Sequence, residues 1–262
     1  MIPPGTFFRP ELDIQRKSLE MTRLAFEIDA ISQMTLQVMQ TVLAVNEKKQ
    51  KLTEDGLGPL ALASALSDFY QISSILESGQ QVMDTEQITE FADYGLDLVD
   101  RLAYQLRLLE ITDQRDQMSH IYVSLALWLV RRRATLDNIE GVADGFAWIV
   151  NSLSDTNDLA EMCQLIEEVA EAASENKKMD EDKSNPWRPW RVLNLNAGIA
   201  ATRSLDPELM ERVFDEVGRR LPYDMSGFLA DGKRQMMTQN VPEAVQEVMN
   251  RYADKWPARP AH

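Results

Sequence analysis

The sequence predicts an all-α fold, on three observations. Its periodic apolar stretches repeat near 3.6 residues, no stretch alternates apolar and polar over the length of a strand, and hairpin-type turn pairs are missing. The periodic segments divide into about ten amphipathic helices joined by short turns, which pair into antiparallel hairpins. Two architectures satisfy that pattern, a stacked α-solenoid and a closed helical bundle.

The first helix carries a seven-residue repeat. Met21, Ile28, Thr35 and Val42 form one row, and Leu24, Ile31, Val38 and Val45 form a second three places on. Such an a/d seam suits a coiled-coil homodimer or a long helix packed within its own chain. Ala25, Leu36, Met39 and Leu43 widen the apolar face beyond a two-stranded seam and favour internal packing. Lys48, Lys49 and Lys51 close the helix, where cations suit the dipole.

After the break at Asp55-Gly56-Leu57-Gly58-Pro59, a second helix places Leu62, Leu66, Phe69, Ser73 and Leu76 on one face and ends at Gly79. Asp84 with Gln87 three places on announces a third, followed by Ile88, Phe91, Leu98, Leu102, Leu106 and Leu109. Thr112 and Asp113 punctuate before a fourth helix that runs through Arg133. It is apolar on nearly every side from Ile121 to Val130, which predicts the most buried helix of the chain. Helix five carries Ile139, Val142, Phe146, Ile149 and Leu153, and helix six carries Leu159, Met162, Cys163, Ile166, Ala170 and Ala173.

The segment Lys177 to Pro186 is charged, has Met179 as its one large apolar residue, and reads as a linker. Beyond it come a helix from about Trp190 to Arg203, another capped by Asp206 with Pro207 in its first turn, and a weaker one from Asp224. The last starts at Pro242 and turns Val245, Val248, Met249, Tyr252 and Trp256 inward. The organisation is therefore residues 1–80, a central acidic part at 81–176, and 187–262 after the linker, or one continuous domain. Trp190 and Leu193 fit the opening of the W-x2-L-G-x2-Y signature, with Asn194 for the glycine and Ala197 for the tyrosine. The interval from Trp190 to Asp224 is also close to the period of about 34 residues. The chain resembles the tetratricopeptide repeat in architecture, and the likeness implies stacked helical hairpins.

At 262 residues the chain is long enough to bury roughly 70–75 % of its unfolded surface without staples. The one cysteine, Cys163, forms no internal disulfide, and no basic start precedes an apolar stretch at the N-terminus. A cytoplasmic protein without a signal peptide is the expectation. The longest apolar run is about half of the roughly 20 residues that span a bilayer, so no membrane segment is expected. A net charge of -15 argues against nucleic acid, whose phosphates require a clustered basic surface.

Histidine is nearly absent. His120 opens helix four with Gln117 three places before it, where a helical di-iron site needs glutamate, and His262 is the final residue. Metalloprotease, serine-hydrolase, P-loop, dinucleotide and aspartate-rich diphosphate motifs do not occur. Asp180-x-Asp182-x-Ser184 matches the start of a calcium loop, but Asn185 stands at its glycine position and Arg191 at its bidentate glutamate position. No catalytic residue, metal or cofactor is expected, and that segment reads as a solvated acidic linker.

Helix three offers a more specific pattern. Glu86, Glu90, Asp93, Asp97 and Asp100 follow at intervals of four, three, four and three, an acidic stripe opposite the leucine face. Like charges so spaced each cost about 0.2–0.5 kcal/mol in an isolated helix, although the first acids are favoured by the dipole. The stripe is either a surface for a basic partner or an ordinary solvated face. From Thr135 to Asn185 thirteen acids face three lysines, whereas eleven bases and ten acids follow from Pro186.

Arg131-Arg132-Arg133 ends helix four, where cations belong, rather than forming an anion patch. In Trp187-Arg188-Pro189-Trp190-Arg191, Trp187, Arg188, Trp190 and Arg191 are residue types enriched at binding hot spots. The same residues also suit fastening a linker to the core. The run Ala197-Gly198-Ile199-Ala200-Ala201 allows a close helix approach. Asn194 and Asn196 bind a ligand or cap a turn, and Cys163 reads as an inert buried thiol.

The expected function is a non-enzymatic interaction module, an adaptor or regulatory scaffold that binds a basic protein segment. The alternative is a small-ligand-binding or enzymatic bundle with a carboxylate-lined pocket.

Overall fold

The structure, a computed structural model, describes residues 24–53, 58–238 and 240–257. Met21, most of the Asp55–Pro59 break and His262 lie outside them. Eleven helices and no strand are found among the described residues, with neighbouring helices packed antiparallel. The fold is all-α as the periodicity predicts. The helix beyond the expected ten is α7, a five-residue turn at Glu175–Met179 inside the segment read as a linker.

The chain forms two compact units. One holds the described residues up to Ile149 together with Ala172–Glu175. The other holds Val150–Glu171 and the described residues from Asn176 onward.

In the first unit, α1 (Ile28–Lys49) packs on α2 (Pro59–Glu77), α3 (Thr85–Leu108) and α4 (Arg115–Val130). Ile28, Ile31, Thr35, Val38 and Val42 of the heptad rows are buried in those contacts, and the Thr35 hydroxyl meets the Tyr70 hydroxyl at 2.6 Å. The seam is filled from within the chain. Tyr70 is correspondingly reluctant to ionise, its pKa pushed well up by burial.

Helix boundaries follow local chemistry. Pro59 starts α2, and Gly79 ends it at φ 73° in a left-handed turn, with Gln80 N–H bonding Ile75 O and Gly79 N–H bonding Leu76 O. Asp84 and Gln87 exchange both bonds of a capping box at the start of α3. At its other end Glu110 adopts φ 59°. Lys51 pairs with its carboxylate at 3.0 Å, and Lys49 donates to the Leu109 carbonyl at 2.5 Å. Met118 to Leu129 of α4 is buried apart from half-buried His120, and Trp128 is among the largest sealed side chains. That helix stops at Val130, so Arg131–Arg133 forms the following turn rather than its last helical residues.

Helix α5 (Glu140–Ser152) leads from the first unit into the second. There α8 (Pro189–Arg203) packs on α9 (Pro207–Arg220), and α11 (Glu243–Lys255) packs on both α9 and α10 (Met225–Met236). Phe214 is the hub, edge-on to Phe228 of α10 and to Tyr252 of α11. Gly198 makes room for Phe228, since a Cβ there would lie 2.6 Å from the ring. Helix α6 (Thr156–Ala172) joins through the Cys163 thiol, 3.5 Å from the Ala197 carbonyl. Asp206 caps α9 by accepting from Glu208 and Leu209 N–H groups.

Candidate interaction surfaces

Helix α3 buries Ile88, Leu98, Leu102 and Leu106 and turns the opposite side outward. Glu86 and Glu90 on that side are exposed, and Asp93 is half-buried. Asp97 is half-exposed and paired with Arg101 at 2.7 Å. Asp100 departs from the expected solvent-facing stripe: it accepts one hydrogen bond from the Tyr122 hydroxyl and one from the Asn138 amide, each at 2.6 Å. The Tyr122 ring lies over Gly141, where a Cβ would come within 2.3 Å. Burial, and then the negative charge of Asp100, push the Tyr122 pKa far above its ordinary value. Asp100 thus ties α3 to α4 and to the turn before α5.

The same outward side carries apolar groups that the acidic spacing did not reveal. Tyr94, Tyr104 and Leu108 are exposed at 48 %, 53 % and 42 %. With Glu90, Asp97 and Arg101 they occupy positions 90, 94, 97, 101, 104 and 108, steps of four and three that align on one helix face. Two tyrosines on the polar side of an amphipathic helix were the available signal.

The Trp/Arg segment divides sharply. Trp190 is buried, with the Arg220 guanidinium 5.7 Å from its ring centroid. Arg188 is buried between two carboxylates, at 2.6 Å from Asp180 and 2.5 Å from Asp224, while Arg191 binds Asp224 at 2.6 Å and the Pro186 carbonyl at 2.9 Å. Lys183 completes the cluster on Asp180 at 2.9 Å. These pairs fasten the segment to the start of α10. Asp180, expected in a solvated linker, is therefore a buried anchor whose charge is matched by Arg188 and Lys183. Trp187 remains 67 % exposed.

No protein-family model, curated protein or solved structure matches the chain. What bears on function is therefore the geometry of its own surfaces.

The remaining constellations have structural partners. Arg131 lies over Phe26 and Arg132 over Trp128, and Arg132 also reaches Glu77 at 3.5 Å. Asn194 donates to the Trp190 carbonyl and accepts from Arg220, while Asn196 donates to the Val192 carbonyl. His120 Nδ1 lies 2.9 Å from the Asp116 carbonyl oxygen. Burial raises the Cys163 thiol to about 12. Desolvation lifts the Asp144 carboxyl above its usual range, with Arg115 opposing and Glu140 adding to the shift. Among the described residues no group of three or more His, Cys, Asp or Glu side chains is placed to hold a metal ion. No helix among them is long and apolar enough to cross a membrane. An open depression of about 520 Å³ runs along α1, lined by Asp29, Ser32, Gln33, Leu36, Gln37 and Gln40, with one carboxylate in it.

Proposed function

We propose that this chain is a non-enzymatic interaction module, a cytoplasmic adaptor or scaffold, that receives a basic protein segment on the outward face of α3. The observation that carries the reading is one of charge. Residues 52–100 contain ten acids and no lysine, arginine or histidine, and the first cation that follows along the chain, Arg101, is paired with Asp97. A run of acids this poor in cations steers a cationic segment and accelerates its encounter. Tyr94, set among them, and Tyr104, whose ring already carries Arg107 at 5.7 Å from its centroid, supply aromatic surface on which arginine or lysine side chains pack. Antiparallel pairing of successive helices, the architecture that resembles tetratricopeptide repeats, supports a binding role in the same direction.

The test compares wild type with Glu86→Gln/Glu90→Gln/Asp97→Asn in capture from native lysate at low and high salt. Asp100 stays intact because it is part of the fold. Partners held by the wild type at low salt are expected to be released by added salt and lost from the variant, through slower association. Partners held equally by both proteins, or unaffected by salt, overturn the reading.

A further inference from the structure

Helix α3 packs on α1, α2 and α4 and leaves one stripe outward, and the order of residues along that stripe is symmetric. Glu90, Tyr94, Asp97, Arg101, Tyr104 and Leu108 follow at intervals of four, three, four, three and four, the spacing of a helix-pairing seam. The spacing is the same from either end, since the six stand two, five and nine residues to each side of Val99. All six belong to the continuous helix Thr85–Leu108 and share one of its faces, so they form a single surface. Of the twelve large apolar side chains exposed among the described residues, Tyr94, Tyr104 and Leu108 lie here, more than on any other helix.

We propose that a second copy of the chain docks on this stripe, the two α3 helices lying antiparallel about a two-fold axis level with Val99. A two-fold contact requires that if one residue meets another, the second meets the first in return, and the stripe satisfies this at three levels. Each Asp97 faces Arg101 of the other copy, each Tyr94 faces Tyr104, and each Glu90 faces Leu108 with Arg107 one residue away. A parallel pair in register would set Glu90, Asp97 and Arg101 against their own kind, so charge selects the antiparallel arrangement. Asp97 and Arg101 already bond within the chain at 2.7 Å, and pairing joins two such pairs into an alternating network in which each charge has two opposite neighbours. The tyrosines add aromatic contact area on either side of it. The net charge of -15 on each copy opposes association, but at physiological salt repulsion between exposed charges is largely screened beyond about 8 Å. One helix stripe is smaller than a standard interface, so the dimer is weak and reversible. The heptad seam of α1, the other route to a dimer, is occupied by α2, α3 and α4. A second copy covers the face assigned above to a basic segment, so the two occupants exclude one another. That exclusion rests on the reading above, whereas the pairing itself does not.

Sedimentation equilibrium of the full chain, without any ligand and up to about 1 mM, reads the association directly. A reversible monomer–dimer equilibrium is expected. Asp97→Arg sets cations against cations across the axis and Arg101→Asp sets acids against acids, so each alone weakens the dimer by about tenfold or more. An equimolar mixture of the two variants pairs opposite charges again and recovers the association, as does the double variant Asp97→Arg/Arg101→Asp. Recovery in the mixture is an outcome that misfolding of either variant does not produce. Tyr104→Ser weakens the dimer with the charges untouched. A chain that stays monomeric overturns the proposal, as does a dimer indifferent to these substitutions, or one lost in both single variants and restored by neither the mixture nor the double variant. Capture of a basic segment is not measured in any of these arms, so the two readings fail separately.

Discussion

The indole of Trp190 and the thiol of Cys163 are both sealed inside the second unit, and each has a consequence at the level of a single side chain. Trp190 is 4 % exposed and its Nε1 has no hydrogen-bond partner among the described residues, so it acts as an apolar wedge. Trp190→Ala is expected to lower stability by about 3–5 kcal/mol in chemical denaturation, as for other buried tryptophans. A loss under about 1 kcal/mol would show that the core beneath α8 closes over the gap. Cys163, fully buried and with its thiol raised to about 12, holds almost no thiolate near neutral pH. A thiol reagent at about pH 8 is expected to label the native chain at the rate of unfolding, and reaction within the mixing time would contradict the packing. Cys163 was legible as an inward position of α6. The role of Asp224 was not: its partners Arg188 and Arg191 lie 36 and 33 residues away in the chain, and no local pattern marks such a pairing.

Among the elements, α3 shows best what periodicity reveals and what it omits. Its start was legible because the Asp84–Gln87 capping box is chemistry confined to four residues, and so was its apolar face. The acidic stripe was legible as spacing, but the inward engagement of Asp100 depends on Tyr122 and Asn138, supplied by later segments. The contact of α3 with α2 is equally non-local. Gly95 lies against the Phe69 ring, where a Cβ would stand 2.4 Å from Cζ. Phe91 is stacked on that ring at 4.5 Å and Tyr70 lies edge-on to it, so the ring has little freedom to retreat. An alanine would add about 1 kcal/mol of helix propensity, yet overpacking of this kind costs about 1–3 kcal/mol. Gly95→Ala is therefore expected to lower the melting temperature, and a raised one would show that α2 and α3 can separate at no cost.

For the molecule as a whole, the all-α class was readable from period alone, while the division into two units was hidden because it depends on which helices share a core. One contact shows why. Leu136 N–H bonds the Ala172 carbonyl at 2.8 Å, Ser174 N–H returns a bond to the Leu136 carbonyl at 2.8 Å, and the Ser174 hydroxyl bonds Asp137 at 2.5 Å. This single parallel bridge brings the chain back to the first unit after α6 has already entered the second. During translation, α1 to α4 are therefore synthesised before the residues that complete their unit. At about 5–20 residues per second, the stretch from Val150 to Glu175 takes roughly 1–5 s to be added. For that interval the backbone groups of Leu136 have no Ala172 or Ser174 to pair with, and a nascent chain stalled before Ala172 would expose them to the solvent and to chaperones.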